Sequence, residues 1–365
     1  MKNIAISNAN FLNYLRENEI IYPLVMSIDV IENCNYRCKH CYIKYSFKES
    51  EDNCLSFDEL DELFVQLGKY GVASVNLTGG EPLLRKDIVE IIKSAKRNNL
   101  YCCLKSNGFF LSKDLIHTFE SIGLDEIVLS IYGMDNKEYQ DVTGFAATEK
   151  VGVCEKLFEN IRYLNSSKIR TELRYVLLKQ NYKSYARFVE MCKKIGLKQG
   201  QYDFIIDINP DNSSDECTSN NGMDAKQQEE FLRQFYKLDK ETFYLKYNND
   251  YKYKKCLVGR QLLHIKCNGD IYPCPNFPIS VGNIKEQTFK EIWENSPLLN
   301  ELRDISEENF DCGTCKDRDK CYHICIGAIY VWNKCENYKK SNISYCQYKR
   351  EFYSIVDKIK AEVVN

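Results

Sequence analysis

Most of the 18 cysteines in this 365-residue chain fall into two local groups. The first reads Cys34-Asn-Tyr-Arg-Cys38-Lys-His-Cys41, three thiols separated by three and then two residues. Three thiolates held so closely can wrap one corner of an iron-sulfur cube, and with no fourth cysteine nearby one iron keeps a position open for a substrate or cofactor. Zinc is the competing reading. Closed structural zinc takes four ligands in C-x-x-C pairs, and His40 sits too tightly between Cys38 and Cys41 to complete such a site. The second group reads Cys256, Gly269 and Cys274, then Cys312-x2-Cys315-x5-Cys321-x3-Cys325, and finally Cys346. Alone, its middle run would also suit a zinc ribbon or disulfides. Cys54, Cys102, Cys103, Cys154, Cys192 and Cys217 suit packing, because free cysteine is commonly a small buried hydrophobe, and Cys335 is read the same way.

The first group needs a strand end to stand on. From Val25 to Asp207 short β-type runs alternate with amphipathic helical stretches, the grammar of a βα repeat with a parallel sheet. Six strands are predicted at Val25–Val30, Ser74–Leu77, Tyr101–Lys105, Glu126–Ser130, Thr171–Leu177 and Gln201–Asp207. Between the first two lies a punctuated helix: Ser56 and Glu59 form a capping box, Phe57, Leu60, Phe64 and Leu67 make one apolar face, and Gly71 ends it. Ser112 to Gly123 repeats that pattern with Leu115, Ile116, Phe119 and Ile122, and a further helix runs from Tyr182 to Ile195. Cys34 thus follows the first strand at its C-terminal end, where barrel enzymes place their chemistry. Gly79-Gly80-Glu81-Pro82 stands after the second strand, Ser106-Asn107-Gly108 after the third, and Ser130 closes the fourth.

After Pro210 a polar stretch leads into a charged, Tyr-rich segment with one helix, Gln227–Leu238. Beyond Cys256 periodicity is weak and cysteine dense, as expected where cofactor ligation replaces part of a core. The predicted fold is α/β, a partial (β/α)6 TIM-type barrel with a C-terminal cysteine-rich iron-sulfur domain. Its expected divisions are an N-terminal extension (1–24), the barrel (25–210), a connector (211–255), the cysteine-rich domain (256–350) and a C-terminal helix (351–365) within a helical pattern from Cys346 to Val364.

Composition narrows the class. The net charge is −2, with 28% charged residues of both signs scattered along the chain, so no basic face for nucleic acid is announced. With 44% hydrophobic residues the chain folds, yet no apolar run approaches the roughly 20 residues of a membrane span. Residues 1–10 have neither a basic head nor an apolar block, so a cytoplasmic location is expected, and metal accounts for the cysteines better than a secreted disulfide framework.

The Cys34, Cys38 and Cys41 loop resembles that of the radical S-adenosylmethionine (radical SAM) superfamily, whose C-x3-C-x2-C motif holds a 4Fe-4S cluster that reductively cleaves S-adenosyl-L-methionine. Gly79-Gly80-Glu81-Pro82 is similar to the superfamily's motif for the methionyl amino group, where glycines permit close backbone approach and the carboxylate accepts from the ammonium. Ser106, Asn107 and Ser130 resemble positions lining the cofactor, and His40 the variable loop position whose backbone lies near the adenine. One departure concerns the fourth strand: relatives often carry Ser-hydrophobic-Asp-Gly and an Arg about a dozen residues later, whereas this chain has Ser130-Ile131-Tyr132-Gly133 and then Val142-Thr143-Gly144. The partner of the cofactor carboxylate is therefore open, with Arg174 as a substitute.

The second group resembles the seven-cysteine pattern of the SPASM domain. That resemblance implies one auxiliary 4Fe-4S cluster on Cys312, Cys315, Cys321 and Cys346 and another on Cys256, Cys274 and Cys325, three clusters in all. The fourth ligand of the latter stays open: Cys267 lies near Gly269, but alternation around Ile265 would equally point it into a core.

What the resemblance implies is an oxidative enzyme fed by a flavodoxin- or ferredoxin-like reductant. The leading expectation is a maturase that forms a thioether or carbon–carbon cross-link in a ribosomally made peptide. Only 33 residues precede Cys34, so substrate recognition would fall to a separate leader-binding protein or to the barrel rim. Sulfatase maturation, the formation of formylglycine, is the alternative, weakened because Cys274 is followed by Pro275 where those enzymes carry Asp. A non-catalytic iron-sulfur electron carrier would not need Gly79-Gly80-Glu81 or six βα units. No catalytic base is assigned.

Overall fold

The computed structural model describes residues 20–38, 40–41, 53–145, 152–198, 201–206, 222–247, 258–305, 315 and 325–364. Its first half is the expected βα repeat: β1 (Val25–Ile31), α1 (Phe57–Tyr70), β2 (Ser74–Gly79), α2 (Ile88–Arg97), β3 (Tyr101–Ser106), α3 (Lys113–Ser121), β4 (Glu126–Ile131), α4 (Asn136–Thr143), α5 (Val153–Asn165), β5 (Arg170–Leu177), α6 (Tyr185–Ile195) and β6 (Tyr202–Ile206). All six strands run parallel in the order β6-β5-β4-β3-β2-β1.

Local chemistry explains the boundaries. Ser56 caps α1 by accepting from Glu59 N at 3.2 Å while Ser56 N donates back to the Glu59 carboxylate at 2.7 Å, and Gly71 ends the helix at φ 92°. Leu63 joins Leu60, Phe64 and Leu67 on the buried face; Phe57 is only half-buried. The helix expected from Tyr182 begins as a 3-10 turn over Tyr182–Ser184 before α6.

Strand alternation sorts the barrel's two faces. Met26, Ile28, Val30, Val75, Leu77, Leu104, Ile127, Leu129, Leu173 and Tyr175 are buried in the main hydrophobic core under the helices. On the opposite face, Ser27 is in register with both Asn76 and His264, Asp29 with Thr78, and Ser130 with Arg174. That inner wall is polar, which a barrel packed solely for stability would not require.

Within the stretch expected as a connector lie α7 (Ala225–Leu238) and α8 (Lys240–Tyr247), and after it comes a hairpin whose first strand extends the barrel sheet. β7 (Leu262–Ile265) runs parallel to β1, and β8 (Asp270–Tyr272) and β9 (Gly282–Asn283) follow antiparallel, giving nine strands in one sheet. The remaining helices are α9 (Phe289–Asn295), α10 (Pro297–Asp304), α11 (Ile326–Trp332) and α12 (Ile343–Val364), the last beginning before Cys346. Arg233 on α7 reaches Glu362 on α12 at 2.6 Å, and Lys358 on α12 reaches Glu229 on α7 at 2.8 Å. Among the described residues no helix is long and apolar enough to cross a membrane.

Candidate functional site

The loop leaving β1 is held by its own backbone and by what it packs upon. Cys41 N donates to Cys38 O at 3.1 Å, Arg37 N to Thr143 O at the end of α4 at 2.8 Å, and Tyr36 N to the Cys34 sulfur at 3.4 Å. Tyr36 is 1% exposed, its ring against Phe145 (5.2 Å between centroids), Phe109 (6.1 Å) and Tyr132 (6.1 Å). An aromatic floor therefore sets the loop, a role hidden in sequence because Tyr36 reads as a spacer between thiols. Burial pushes the Cys34 thiol up to about 11 and the Cys38 thiol further; the charge Cys41 would carry adds to both, and that of Cys34 adds to Cys38. Three cysteine sulfurs on one short loop are the donor set of an iron-sulfur cluster with one open iron, whereas closed structural zinc takes four ligands.

The Gly79-Gly80-Glu81 tip packs onto the entry of that loop. Gly80 N donates to Ile31 O at 2.8 Å and Glu81 N to Asn33 O at 2.9 Å. Gly79 sits at φ 121°, and a Cβ on either glycine would collide with the carbonyls of Ile31 or of Glu32 and Asn33. Close approach is indeed why glycine is needed, but the nearest backbone is the cysteine loop itself. Glu81 is fully buried and accepts from Ser106 Oγ (2.7 Å), Asn107 N (2.8 Å) and Leu83 N (3.0 Å). Three of a carboxylate's roughly four acceptor sites are thereby occupied, leaving one for a cation. Burial raises this carboxyl to about 7 against those hydrogen bonds.

Ser106 and Asn107 are themselves buried. Asn107 Nδ2 donates to Asn35 Oδ1 at 2.9 Å and lies 4.0 Å from the Cys34 sulfur. Glu81, Ser106, Asn107 and Asn35 thus form one relay tying the tips of β2 and β3 to the cysteine loop. Ser130 is half-buried on the inner wall, and Tyr132, two residues on, packs its ring against Tyr36 of the cysteine loop at 6.1 Å. Tyr132, standing where relatives often carry Asp, thereby reaches the cysteine loop, and His40 lies against its ring at 5.5 Å. Arg174 pairs with Glu172 on its own strand.

Sequence reasoning missed one pair. Asp29 of β1 and His264 of β7 meet on the inner wall, His264 Nε2 donating to Asp29 Oδ2 at 3.1 Å, with 6% and 2% of each residue exposed. Asp29 Oδ1 and His264 Nδ1 are buried with no hydrogen-bond partner in the protein. A signal was available, an acidic residue inside an otherwise apolar strand, but its partner lies 235 positions further along and only the β1–β7 pairing unites them.

In the C-terminal part, Cys274, Cys315, Cys325 and Cys346 are described, and Cys256, Cys312 and Cys321 lie outside the described residues. Cys325 caps α11, its sulfur accepting from Ala328 N at 3.4 Å. The next residue, Ile326, packs in one apolar cluster with Phe277 and Cys274, while Cys325 lies against Ala328, Ile329 and Tyr345. Arg350, one turn beyond Cys346 on α12, donates to the Cys315 sulfur at 4.0 Å. Cys267 stands apart from these. It occupies the β7–β8 turn, at the opposite end of the hairpin from Cys274, and its carbonyl accepts from Leu55 N, which sets it beside Cys54. Cys102 and Cys103 on β3, Cys154 on α5 and Cys192 on α6 are buried as expected, whereas Cys335 is exposed just past α11 and Cys54 is only half-buried, so neither is the core packing residue the sequence suggested; Cys217 lies outside the described residues.

Comparison with known proteins agrees with this architecture. The Radical SAM superfamily matches residues 28–205, and the iron-sulfur cluster-binding domain SPASM matches residues 256–322. The AdoMet-dependent heme synthase of Methanosarcina barkeri is 24% identical over 326 residues, 82% of this chain and 90% of its own length. Among solved structures, Streptococcus suis SuiB bound to precursor peptide SuiA superposes with a TM-score of 0.69 at 20% identity, covering 93% of this chain and 80% of SuiB. Native anSMEcpe with bound AdoMet gives 0.71 at 18% identity, covering 93% and 99%. The chain is a radical SAM enzyme with a C-terminal SPASM domain, a member of the superfamily whose cysteine loop it carries after β1.

Proposed function

We propose that this enzyme oxidatively modifies a peptide, forming a thioether or carbon–carbon cross-link. The observation carrying the reading is the geometry after β1: three cysteines, Cys38 buried and Cys34 and Cys41 half-buried, on a loop set on an aromatic floor at the end of a sheet whose inner face carries polar residues. The likeness to SuiB, solved with a precursor peptide, supports a peptide as the occupant. Cys34, Cys38 and Cys41 would hold the cluster that engages S-adenosyl-L-methionine. Cys312, Cys315, Cys321 and Cys346 would hold one auxiliary cluster and Cys256, Cys274 and Cys325 the other. When bound, the first cluster and its cofactor supply one-electron reduction and hydrogen-atom abstraction.

The chain's own residues supply the rest. Glu81, with one acceptor site to spare, and the backbone of Gly79 and Gly80 meet the methionyl ammonium, while His40 and Ser130 border the same space and Ser106 and Asn107 brace it. Asp29 fixes the tautomer of His264, leaving Nδ1 to accept the proton a substrate loses on two-electron oxidation. The electron would come from a flavodoxin- or ferredoxin-like protein, and a separate leader-binding protein would present the peptide.

A tetrapyrrole substrate is the second reading, favoured by the similarity to heme synthase along most of both chains. Anaerobic reconstitution followed by reduction with S-adenosylmethionine is expected to yield 5′-deoxyadenosine. Peptides encoded beside the gene are expected to lose two hydrogens by mass. Absence of the nucleoside overturns the enzymatic reading. Its formation with turnover of a porphyrin, and none of the peptides, overturns the peptide reading.

A further inference from the structure

The cysteine loop has a neck, and a pair of thiols sits at it. The chain leaves β1 at Glu32 and returns at Cys54, just before the Ser56 cap of α1. There Leu55 N donates to Cys267 O at 2.5 Å, so the end of the loop lies against the β7–β8 turn of the C-terminal domain. That backbone contact sets Cys54 and Cys267 side by side, close enough for each thiol to act on the other. Cys267 is 1% exposed, whereas Cys54 is half-buried. Cys54 lines a cleft of about 310 Å³ with Val30, Ile31, Arg85, Lys86 and Asp87, large enough for a small organic ligand. Arg85 is paired with Asp87 at 2.8 Å, which leaves Lys86 to give the cleft a positive rim.

We propose that Cys54 and Cys267 are a redox-active dithiol, a modification site for anionic low-molecular-weight disulfides that closes to an intrachain disulfide. The proximity of the two lowers the Cys54 thiol to about 7 and pushes the buried Cys267 thiol far up, so Cys54 is the attacking group and Cys267 the resolving one. Glu32 and Arg85 are the charged groups that act on Cys54 besides this partner. In the first step the Cys54 thiolate attacks one sulfur of the small disulfide, forming a mixed disulfide and releasing one thiolate. In the second the Cys267 sulfur, giving up its proton, displaces the other small thiol. Two protein thiols are oxidised and one disulfide is reduced to two thiols. The product ties the neck of the loop covalently to the C-terminal domain. Neither residue belongs to the cluster ligands proposed above, and the inference stands without the peptide reading.

The test uses reconstituted holoenzyme under anaerobic conditions, with oxidised glutathione as the probe and peptide mapping by mass spectrometry as the readout. A Cys54–Cys267 cross-linked peptide is expected, with Cys54→Ala abolishing it and Cys267→Ala stopping at glutathionylated Cys54. In a parallel alkylation at pH 7, an ordinary thiol near 8.5 is roughly 3% ionised and Cys54 about half. Cys54 is therefore expected to react on the order of ten times faster than exposed Cys335, whose thiol burial raises. Oxidised wild-type enzyme in which both thiols remain free, or alkylation of Cys54 no faster than of Cys335, would overturn the proposal. Neither outcome depends on a correctly folded variant.

Discussion

Glu81→Gln sets the two forces on the buried carboxyl against each other. Burial favours its protonated form, while the donors on Ser106, Asn107 and Leu83 favour the carboxylate. Burial prevails, lifting the group from 4.5 to about 7. With the folded value above the unfolded one, the native chain binds the extra proton between those limits. Its stabilising contribution is whole below about 4.5 and lost as pH rises through about 7. A difference near 2.5 units at about 1.4 kcal/mol each makes that loss about 3 kcal/mol. Glutamine imitates the protonated acid, with one acceptor oxygen and one donor group. The variant is therefore expected to match wild type at pH 5 and to exceed it at pH 8 by an amount approaching 3 kcal/mol, read as a growing difference in Tm. If Glu81→Gln is instead less stable at pH 8, the three donors outweigh burial and the carboxylate is the resting form.

The remaining perturbations probe the loop's packing and the inner wall. Gly80→Ala is expected to drive the cysteine loop off the β2 tip, because the obstructing atoms are backbone carbonyls that have no rotamer to adopt. It should cost about 1–3 kcal/mol and lower the iron retained after reconstitution, and full iron content at wild-type Tm would count against that packing. Asp29→Ala should leave His264 with an unpaired buried N–H, at about 1–3 kcal/mol, and a double-mutant cycle with His264→Ala should return a coupling of similar size. Both single variants are expected to keep forming 5′-deoxyadenosine while losing modified product. Loss of the nucleoside as well would move the pair from proton transfer to support of the cysteine loop.

Local signals in the sequence located the barrel well, and distant pairings were hidden from it. The capping box at Ser56 and Glu59 and the terminator Gly71 specify α1 within a few residues, because helix ends are settled by neighbours along the chain. The strands of the βα repeat were legible for the same reason: apolar runs, each closed by turn chemistry. By contrast, α2, α4 and α5 went unmarked, and β7 was visible only as alternation around Ile265, with nothing local to say that it would run beside β1. The cysteine loop was recognisable from spacing. Its aromatic floor, the Glu81 relay and the Tyr132 contact to Tyr36 depend on tertiary proximity that no spacing encodes.

The pairing of β7 with β1 also changes what the two halves of the chain mean for one another. A barrel ending at β1 would leave that strand's edge unpaired and Asp29 without His264, a buried charge on an open edge. With β7 in place, the C-terminal part completes the inner wall through His264 and meets the neck of the cysteine loop through Cys267. The composition break near Pro210 divides the sequence into two styles, but the wall and the loop each need residues from both sides of it. A domain that only carried electrons would need a short path to the barrel and no shared sheet. Supplying a side chain to the wall and a thiol to the loop's base gives the C-terminal part a direct hold on the geometry of the site.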